Sequence, residues 1–175
     1  MVLLIEAINA LREFLDTGGQ VLLVIGLIIF AMWLLILERF MFVFGKYRTY
    51  KNELLTAWKA REERNSWNAE QIRQAQISRA GIRLNANLPY INVMVALCPL
   101  LGLLGTVTGM IEVFDVMAIT GTGSARSMAS GVSKATIPTM AGMVGALSGV
   151  FASTYLQRKA KREVELLEDK LLLDH

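Results

Sequence analysis

The chain has 175 residues, of which 54% are hydrophobic and 19% are charged, and its formal net charge is +3. This composition is much more apolar than that of an average soluble domain. The single cysteine, Cys98, excludes an internal disulfide framework. The composition therefore indicates a membrane protein and argues against a soluble enzyme.

Three long stretches of the sequence contain no Asp, Glu, Lys or Arg. They cover residues 17–37, 84–111 and 135–157. A helix of about 18 or more apolar residues can cross the roughly 30 Å hydrocarbon core of a bilayer. The sequence therefore predicts an all-α, polytopic membrane protein with three transmembrane helices.

Positive charges are distributed unevenly between these stretches. Segment 38–83 holds ten Lys and Arg residues and the segment after residue 157 holds five, whereas residues 1–16 hold one. The segment between the second and third stretches holds only Arg126 and, at its end, Lys134. Because basic residues stay on the cytoplasmic side, we expect the N-terminus outside and the C-terminus inside. The net charge is then explained by topology, with no need for a nucleic-acid partner.

The flanking segments have helical patterns of their own. Residues 3–15 repeat apolar side chains at helical spacing, which is typical of an amphipathic helix on a membrane surface. We expect Gly18 and Gly19 to form the bend into the first span. We also expect the long charged arms to be helical, with the arm from about Asn68 continuing into the second span. The predicted segments are a periplasmic amphipathic helix at 1–16, transmembrane helices at 17–37, 88–118 and 125–157, a cytoplasmic helical region at 38–87, a periplasmic turn at 119–124, and a cytoplasmic helical tail at 158–175.

The second and third spans carry small residues at helical spacing. Such stripes allow close approach of helix backbones in a membrane, either for packing alone or to line a space shared between subunits. Each span also contains a proline, Pro99 or Pro138, which leaves a backbone carbonyl without its helical donor. The stripes are Cys98, Gly102, Gly105, Gly109 and Glu112 in the second span, and Thr139, Gly142, Ala146, Gly149 and Ser153 in the third.

A glycine-rich turn at 120–124 fixes the register of these two spans. If both helices reach the turn, positions whose numbers sum to about 245 face each other. Thr106 then faces Thr139, and Glu112 faces Lys134. An ionisable group at membrane depth is costly unless it is paired or hydrated. The Glu112–Lys134 pair can therefore be a structural ion pair or a functional, gating one.

Two motifs resemble the ExbB/TolQ/MotA proton-channel family. They are PLLGLLGTVTG at 99–109 and GVSKATIPT at 131–139, followed by Ala141 and Gly142. The resemblance covers about 89–157, and the three-span, N-out topology resembles ExbB and TolQ. MotA-type subunits have a fourth span, which this chain lacks.

This resemblance implies a homopentamer in the inner membrane of a Gram-negative bacterium. The pore would hold the single-span helix of an ExbD-like or TolR-like partner with a protonatable Asp. Proton flow would then drive a TonB-like transducer and thereby outer-membrane uptake. The two pore threonines of the family correspond to Thr106 and Thr139, and the small residues and Pro138 would pack the helices or line the pore.

One position departs from the family pattern. Lys134 stands where ExbB and TolQ commonly carry Glu, so the resemblance places the proton-binding acid on the partner. The only histidine is His175, and the sequence contains no catalytic constellation, metal-ligand cluster or cofactor motif. Two alternatives stay open at this point: a TolQ-like subunit for envelope maintenance, and a membrane scaffold that does not conduct.

Overall fold

The computed structural model describes residues 2–61, 63, 66–121 and 125–172. Of residues 2–4, 7, 8, 10–18, 120, 125–127 and 172 it describes the backbone only. The described chain is helical, without a strand, which confirms the predicted all-α class. Its helices are α1 (Val2–Met41), the π-helix π1 (Phe42–Lys46), α2 (Tyr47–Lys59), α3 (Trp67–Asn85), α4 (Leu88–Thr120) and α5 (Ala125–Leu172).

Three helical stretches in the described part of the chain are long and apolar enough to cross a membrane. They contain the second and third uncharged runs of the sequence and all but the first two residues of the first run, so the predicted number of spans is confirmed. Helices α4 and α5 continue through Pro99 and Pro138 respectively. The N-out orientation and the assignment of segments to the two sides of the membrane stay predictions.

Helix α1 contains a sharp break at Gly19. Its backbone has φ 67° and ψ −164°, a region that only glycine adopts readily. The predicted bend before the first span is therefore confirmed at this residue. The backbone before it is helical from Val2, but the predicted amphipathic face lies largely outside the described side chains. Residues 122–124 of the predicted turn also lie outside the described residues, whereas Gly121, at φ 75°, begins the turn.

The described residues form two compact units, and the first comprises 1–33 and 93–150. Within it, α1 buries one face through Leu22, Ile25 and Met32. Leu27 and Phe30, on other faces of α1, are more than 60% exposed. Such a large exposed apolar surface is stable in lipid or against another subunit, and it is a liability in water. This unit therefore has the surface expected of a membrane domain.

The second unit comprises 34–92 and 151–175 and is built from amphipathic helices. Its core contains Tyr47, Trp58, Leu84, Leu156 and Leu167, all less than 5% exposed. Helix α3 begins at an N-cap serine, because the Ser66 hydroxyl accepts a hydrogen bond of 3.2 Å from the Ala69 amide. Apolar side chains at helical spacing thus form the core of this unit.

The long arm leads into the second span, as predicted, but its helix is interrupted at Ala86 and Asn87. Helix α3 ends at Asn85, Ala86 is extended, and Asn87 has a left-handed φ of 63° before α4 begins. Pro89 has no amide hydrogen with which to continue the ladder to the Asn85 carbonyl. Asparagine tolerates the left-handed region better than most residues. Asn87 also donates a hydrogen bond of 2.9 Å to Glu38.

Charged side chains in the second unit form a partly buried network. Lys51 Nζ lies 2.8 Å from Glu163 Oε2, and Lys159 Nζ lies 3.4 Å from Glu163 Oε1. Burial raises the pKa of Glu163, but the hydrogen bonds and charges of these two lysines outweigh it and hold the pKa below its usual value. Burial, with the charge of Glu163, raises the pKa of Tyr47 to about 12. Glu163 is therefore ionised in the folded chain at neutral pH.

Candidate functional site

Helices α4 and α5 meet along a line of small residues. A Cβ added at Gly102 would lie 2.9 Å from the Thr139 Cα, and one added at Gly109 would lie 2.6 Å from the Ala135 Cβ. Gly105 is equally close to the ring of Pro138. Side chains at these glycines would push the helices apart, so the part of the second-span stripe from Gly102 to Gly109 is a contact surface within one chain.

Two threonine hydroxyls meet across this line. Thr106 Oγ1 and Thr139 Oγ1 are hydrogen-bonded to each other, as the register of the hairpin predicts. Thr139 Oγ1 also donates to the Gly102 carbonyl oxygen at 2.8 Å, and Thr106 Oγ1 lies 3.3 Å from the same oxygen. Because Gly102 has no side chain, α5 comes close enough for Thr139 to reach this carbonyl.

The threonine pair has more hydrogen-bonding positions than hydrogens. Each hydroxyl carries one hydrogen, and each oxygen has two acceptor lone pairs. The three contacts therefore share two hydrogens, and both hydroxyls remain able to accept from a further group. Thr106 and Thr139 are half-buried, so such a group can approach them. The pair can thus exchange hydrogen bonds with a protonated or an ionised ligand.

Glu112 and Lys134 line one cavity but do not form the predicted ion pair. No described side chain of opposite charge lies within 4.0 Å of Glu112 or Lys134. The cavity has a volume of about 640 Å³ and lies in the first unit. The direct pairing is therefore absent from the single chain, although the register correctly predicts that both residues lie close to one place.

The rotation of the two helices explains why this ion pair is absent. On α5, Gly131 packs against Val113 and Ala135 packs against Gly109. The stripe on α4 consequently continues from Gly109 to Val113, and Glu112 lies beside it. Lys134 in turn precedes the contact residue Ala135, about 100° away around a helix of 3.6 residues per turn. Both charged side chains therefore flank the contact line.

The small residues further along α5 divide between two neighbouring helices. Gly142 packs against the Cys98 carbonyl of α4, whereas Gly149 packs against Met32 of α1 and Val95 of α4. Ala146 is 8% exposed. These contacts account for the stripe as helix packing within one chain. A pore-lining role for the same residues stays a prediction.

Sequence reasoning missed several residues of this site. Gly145 packs against Ile29 of α1, and Gly131 packs against Val113 of α4. Gln20 and Ser130 line the cavity together with Glu112 and Lys134. The helical spacing of Gly131 and Gly145 from the predicted stripe could have revealed them. Nothing in the sequence places Gln20 there, because it lies on α1, far from the hairpin.

Comparisons with known proteins place these features in a family. The model of the MotA/TolQ/ExbB proton channel family matches residues 46–169. A putative biopolymer transport protein ExbB-like 1 of Synechocystis is 50% identical over 60 residues, which are 33% of this chain and 24% of that protein. Biopolymer transport protein exbB1 of Vibrio cholerae is 37% identical over 90 residues, which are 51% of this chain and 40% of that protein. The matched part thus spans less than half of either relative.

Proposed function

Because the chain belongs to the MotA/TolQ/ExbB proton channel family, we propose that it is an ExbB-like subunit of an ion-driven membrane motor. It assembles as a homopentamer in the inner membrane of a Gram-negative bacterium. With an ExbD-like single-span partner it uses the proton motive force to drive a TonB-like transducer, which energises outer-membrane transport. Both relatives are named as ExbB proteins, which favours this ExbB-like role over the TolQ-like alternative.

The observation that carries this proposal is the threonine pair between α4 and α5. Thr106 lies two residues from the midpoint of the 33-residue α4, hence about 3 Å from the middle of that helix. Hydroxyls at that depth in an apolar helix pair are costly without partners. Their bonds to each other and to the Gly102 carbonyl reduce that cost and hold both oxygens in place.

A partner carboxyl group completes the chemistry of this pair. A protonated carboxyl donates its hydrogen to a threonine oxygen, whereas an ionised one accepts a hydrogen from a threonine hydroxyl. The same two hydroxyls therefore stabilise both protonation states by reorienting. A carboxyl that gains a proton from one side of the membrane and loses it to the other can accordingly remain bound while its charge changes.

The carboxyl comes from the partner because the described part of α4 and α5 supplies none at this depth. The nearest acid in the sequence of α4 is Glu112, six residues and about 9 Å from Thr106 along the helix. Lys134 is a cation that can hold an approaching carboxylate in its ionised form. Thr106 and Thr139 thus provide hydrogen bonds, and the ExbD-like subunit provides the proton carrier.

Replacing Thr139 by valine tests this role, since valine keeps the shape and removes the hydroxyl. The chain and its partner are reconstituted into liposomes, and proton entry is followed with a pH-sensitive dye inside them. We expect Thr139→Val to lower proton flux roughly 10- to 100-fold, as losing one hydrogen bond to a charged group costs about 1.5–3 kcal/mol. Native mass spectrometry of the same sample checks that the complex is intact.

Thr136→Val is the matched control. Thr136 is exposed on the same helix, and its hydroxyl donates to the Ser133 carbonyl of its own turn at 2.8 Å. Normal flux in this variant, with loss in Thr139→Val, supports the proposed path. Equal flux in the two variants removes Thr139 from that path. Rescue of a strain that lacks ExbB, but not of one that lacks TolQ, distinguishes the proposed role from the envelope-maintenance role.

A further inference from the structure

The cavity of the first unit has the size and the lining of a small-ligand site. Its volume of about 640 Å³ lies within the roughly 300–1,000 Å³ typical of such pockets. Residues from α1, α4 and α5 surround it. The lining includes the polar residues Gln20, Thr108 and Ser130 and the apolar residues Val21 and Pro138. Val21 and Pro138 lie against Gly105, one residue from the midpoint of α4, so the apolar part of the lining is at the end of the cavity nearer the middle of that helix. A ligand with a polar end and an apolar end fits this division.

Two opposite charges in this cavity are not paired with each other or with any other described side chain. Glu112 and Lys134 both line the cavity, and both side chains are exposed to it or to its surroundings. A charged side chain near membrane depth requires a partner or water. Here one site offers an anion and a cation. A ligand with a cation and an anion of its own satisfies both.

The position of the cavity along α4 matches the boundary of the hydrocarbon core. Helix α4 has 33 residues and a length of about 50 Å, which exceeds the roughly 30 Å of hydrocarbon. Glu112 is eight residues from its midpoint, hence about 12 Å from the bilayer centre if the helix is centred. The boundary lies at about 15 Å, within reach of a Glu or Lys side chain. Lipid headgroups occupy this level.

From these observations we infer that the cavity binds the headgroup of a zwitterionic phospholipid with a primary ammonium group, such as phosphatidylethanolamine. Lys134 binds the phosphate, and Glu112 accepts hydrogen bonds from the ammonium. The acyl chains lie against the apolar part of the lining. Phosphatidylcholine has a cation without an N–H, and phosphatidylglycerol has no cation, so both satisfy Glu112 less well. This binding site shares Lys134 with the proposed ion path but uses neither Thr106 nor Thr139, so Glu112→Gln and Thr139→Val test the two proposals separately.

The test is lipid competition on the purified, delipidated full chain in detergent. Phosphatidylethanolamine, phosphatidylglycerol and phosphatidylcholine with identical acyl chains are added in equal amounts, and bound lipid is counted by native mass spectrometry. We expect the wild-type chain to retain phosphatidylethanolamine about tenfold better than either competitor, since one charged hydrogen bond is worth that factor. Soluble phosphoethanolamine at the same concentration should bind far more weakly, because it lacks acyl chains.

Two variants test which part of the headgroup Glu112 and Lys134 each bind. Glu112→Gln should abolish the preference over phosphatidylglycerol while phosphate binding persists, and Lys134→Gln should reduce retention of all three lipids. Asp115→Asn is the matched control, because Asp115 is exposed on the same helix and does not line the cavity. Its preference should equal that of the wild type.

Three results overturn the inference. The first is the absence of a lipid preference in the wild-type chain, which needs no variant. The second is an equal loss in Asp115→Asn and Glu112→Gln, and the third is equal binding of soluble phosphoethanolamine and the lipid. Thr139→Val should leave lipid retention unchanged, so failure of the lipid site and failure of the proton path give different results.

Discussion

Gly102 offers the most direct test of the close contact that creates the threonine pair. In Gly102→Ala the new Cβ would lie 2.9 Å from the Thr139 Cα and 3.1 Å from the Pro138 carbonyl oxygen. Carbon atoms in contact settle at about 3.5–4.0 Å, so α5 must retreat by roughly 0.6 Å or more. The 2.8 Å hydrogen bond from Thr139 to the Gly102 carbonyl would then lengthen to about 3.4 Å, beyond the usual range.

The expected loss of stability follows from these two changes. Overpacking costs about 1–3 kcal/mol, and a lost hydrogen bond costs about 0.5–1.5 kcal/mol. For a chain of this length, a loss of about 2–4 kcal/mol lowers the melting temperature by roughly 5–15 °C. The measurement is thermal unfolding of the detergent-solubilised chain, followed by the monodisperse fraction in size-exclusion chromatography.

Gly26→Ala is the control for the added methyl group. Gly26 lies on α1, and a Cβ built there meets no atom within 4 Å. We expect its melting temperature to stay within about 2 °C of the wild type, because alanine is the better helix former and nothing obstructs it. Equal melting temperatures of the Gly102 and Gly26 variants would refute the close approach of α4 and α5.

Two further predictions concern Cys98 and Glu163. Cys98 is fully buried, so a membrane-permeant maleimide should label it only after denaturation. In the control variant Leu97→Cys/Cys98→Ala the new cysteine should be labelled in the folded chain, because Leu97 is 38% exposed. Rapid labelling of native Cys98 would contradict its burial. Since the pKa of Glu163 is lowered in the folded chain, its stabilisation is present above its unfolded pKa of about 4.5 and is lost as pH falls through the lower folded value. Glu163→Gln should therefore lower the melting temperature more at pH 7 than at pH 3, and a loss of equal size at both values would argue against an electrostatic role.

The sequence predicts the spans and the family well because each depends on a short, local signal. Absence of charge over about 20 residues is sufficient to identify a transmembrane helix, whatever the helix packs against. The threonine contact can also be predicted from the sequence, because a short turn between two helices fixes which residues lie at the same level. Thr106 and Thr139 therefore meet as predicted. The family match over residues 46–169 rests on the same hairpin and its flanks.

The rotation of a helix about its axis is harder to predict from sequence, and it decides whether Glu112 pairs with Lys134. A stripe that reaches Gly109 can continue to residue 112 or to residue 113, because 3.6 residues per turn lies between the two spacings. The structure continues it to Val113, which packs against Gly131 and leaves Glu112 beside the contact line. An error of one residue in the stripe thus changes a predicted ion pair into two separate charges around a cavity.

Contacts with α1 depend on information that the hairpin does not contain. Gln20 reaches the cavity, and Met32 packs against Gly149, although residues 42–87 separate α1 from α4 in sequence. A short turn relates α4 to α5 by simple counting, but no such count relates either helix to α1. The threonine pair depends on two helices and could be predicted, whereas the charged cavity depends on three and could not. The ion path through the threonine pair and the lipid site at the cavity accordingly depend on different sets of residues, and separate substitutions can test them.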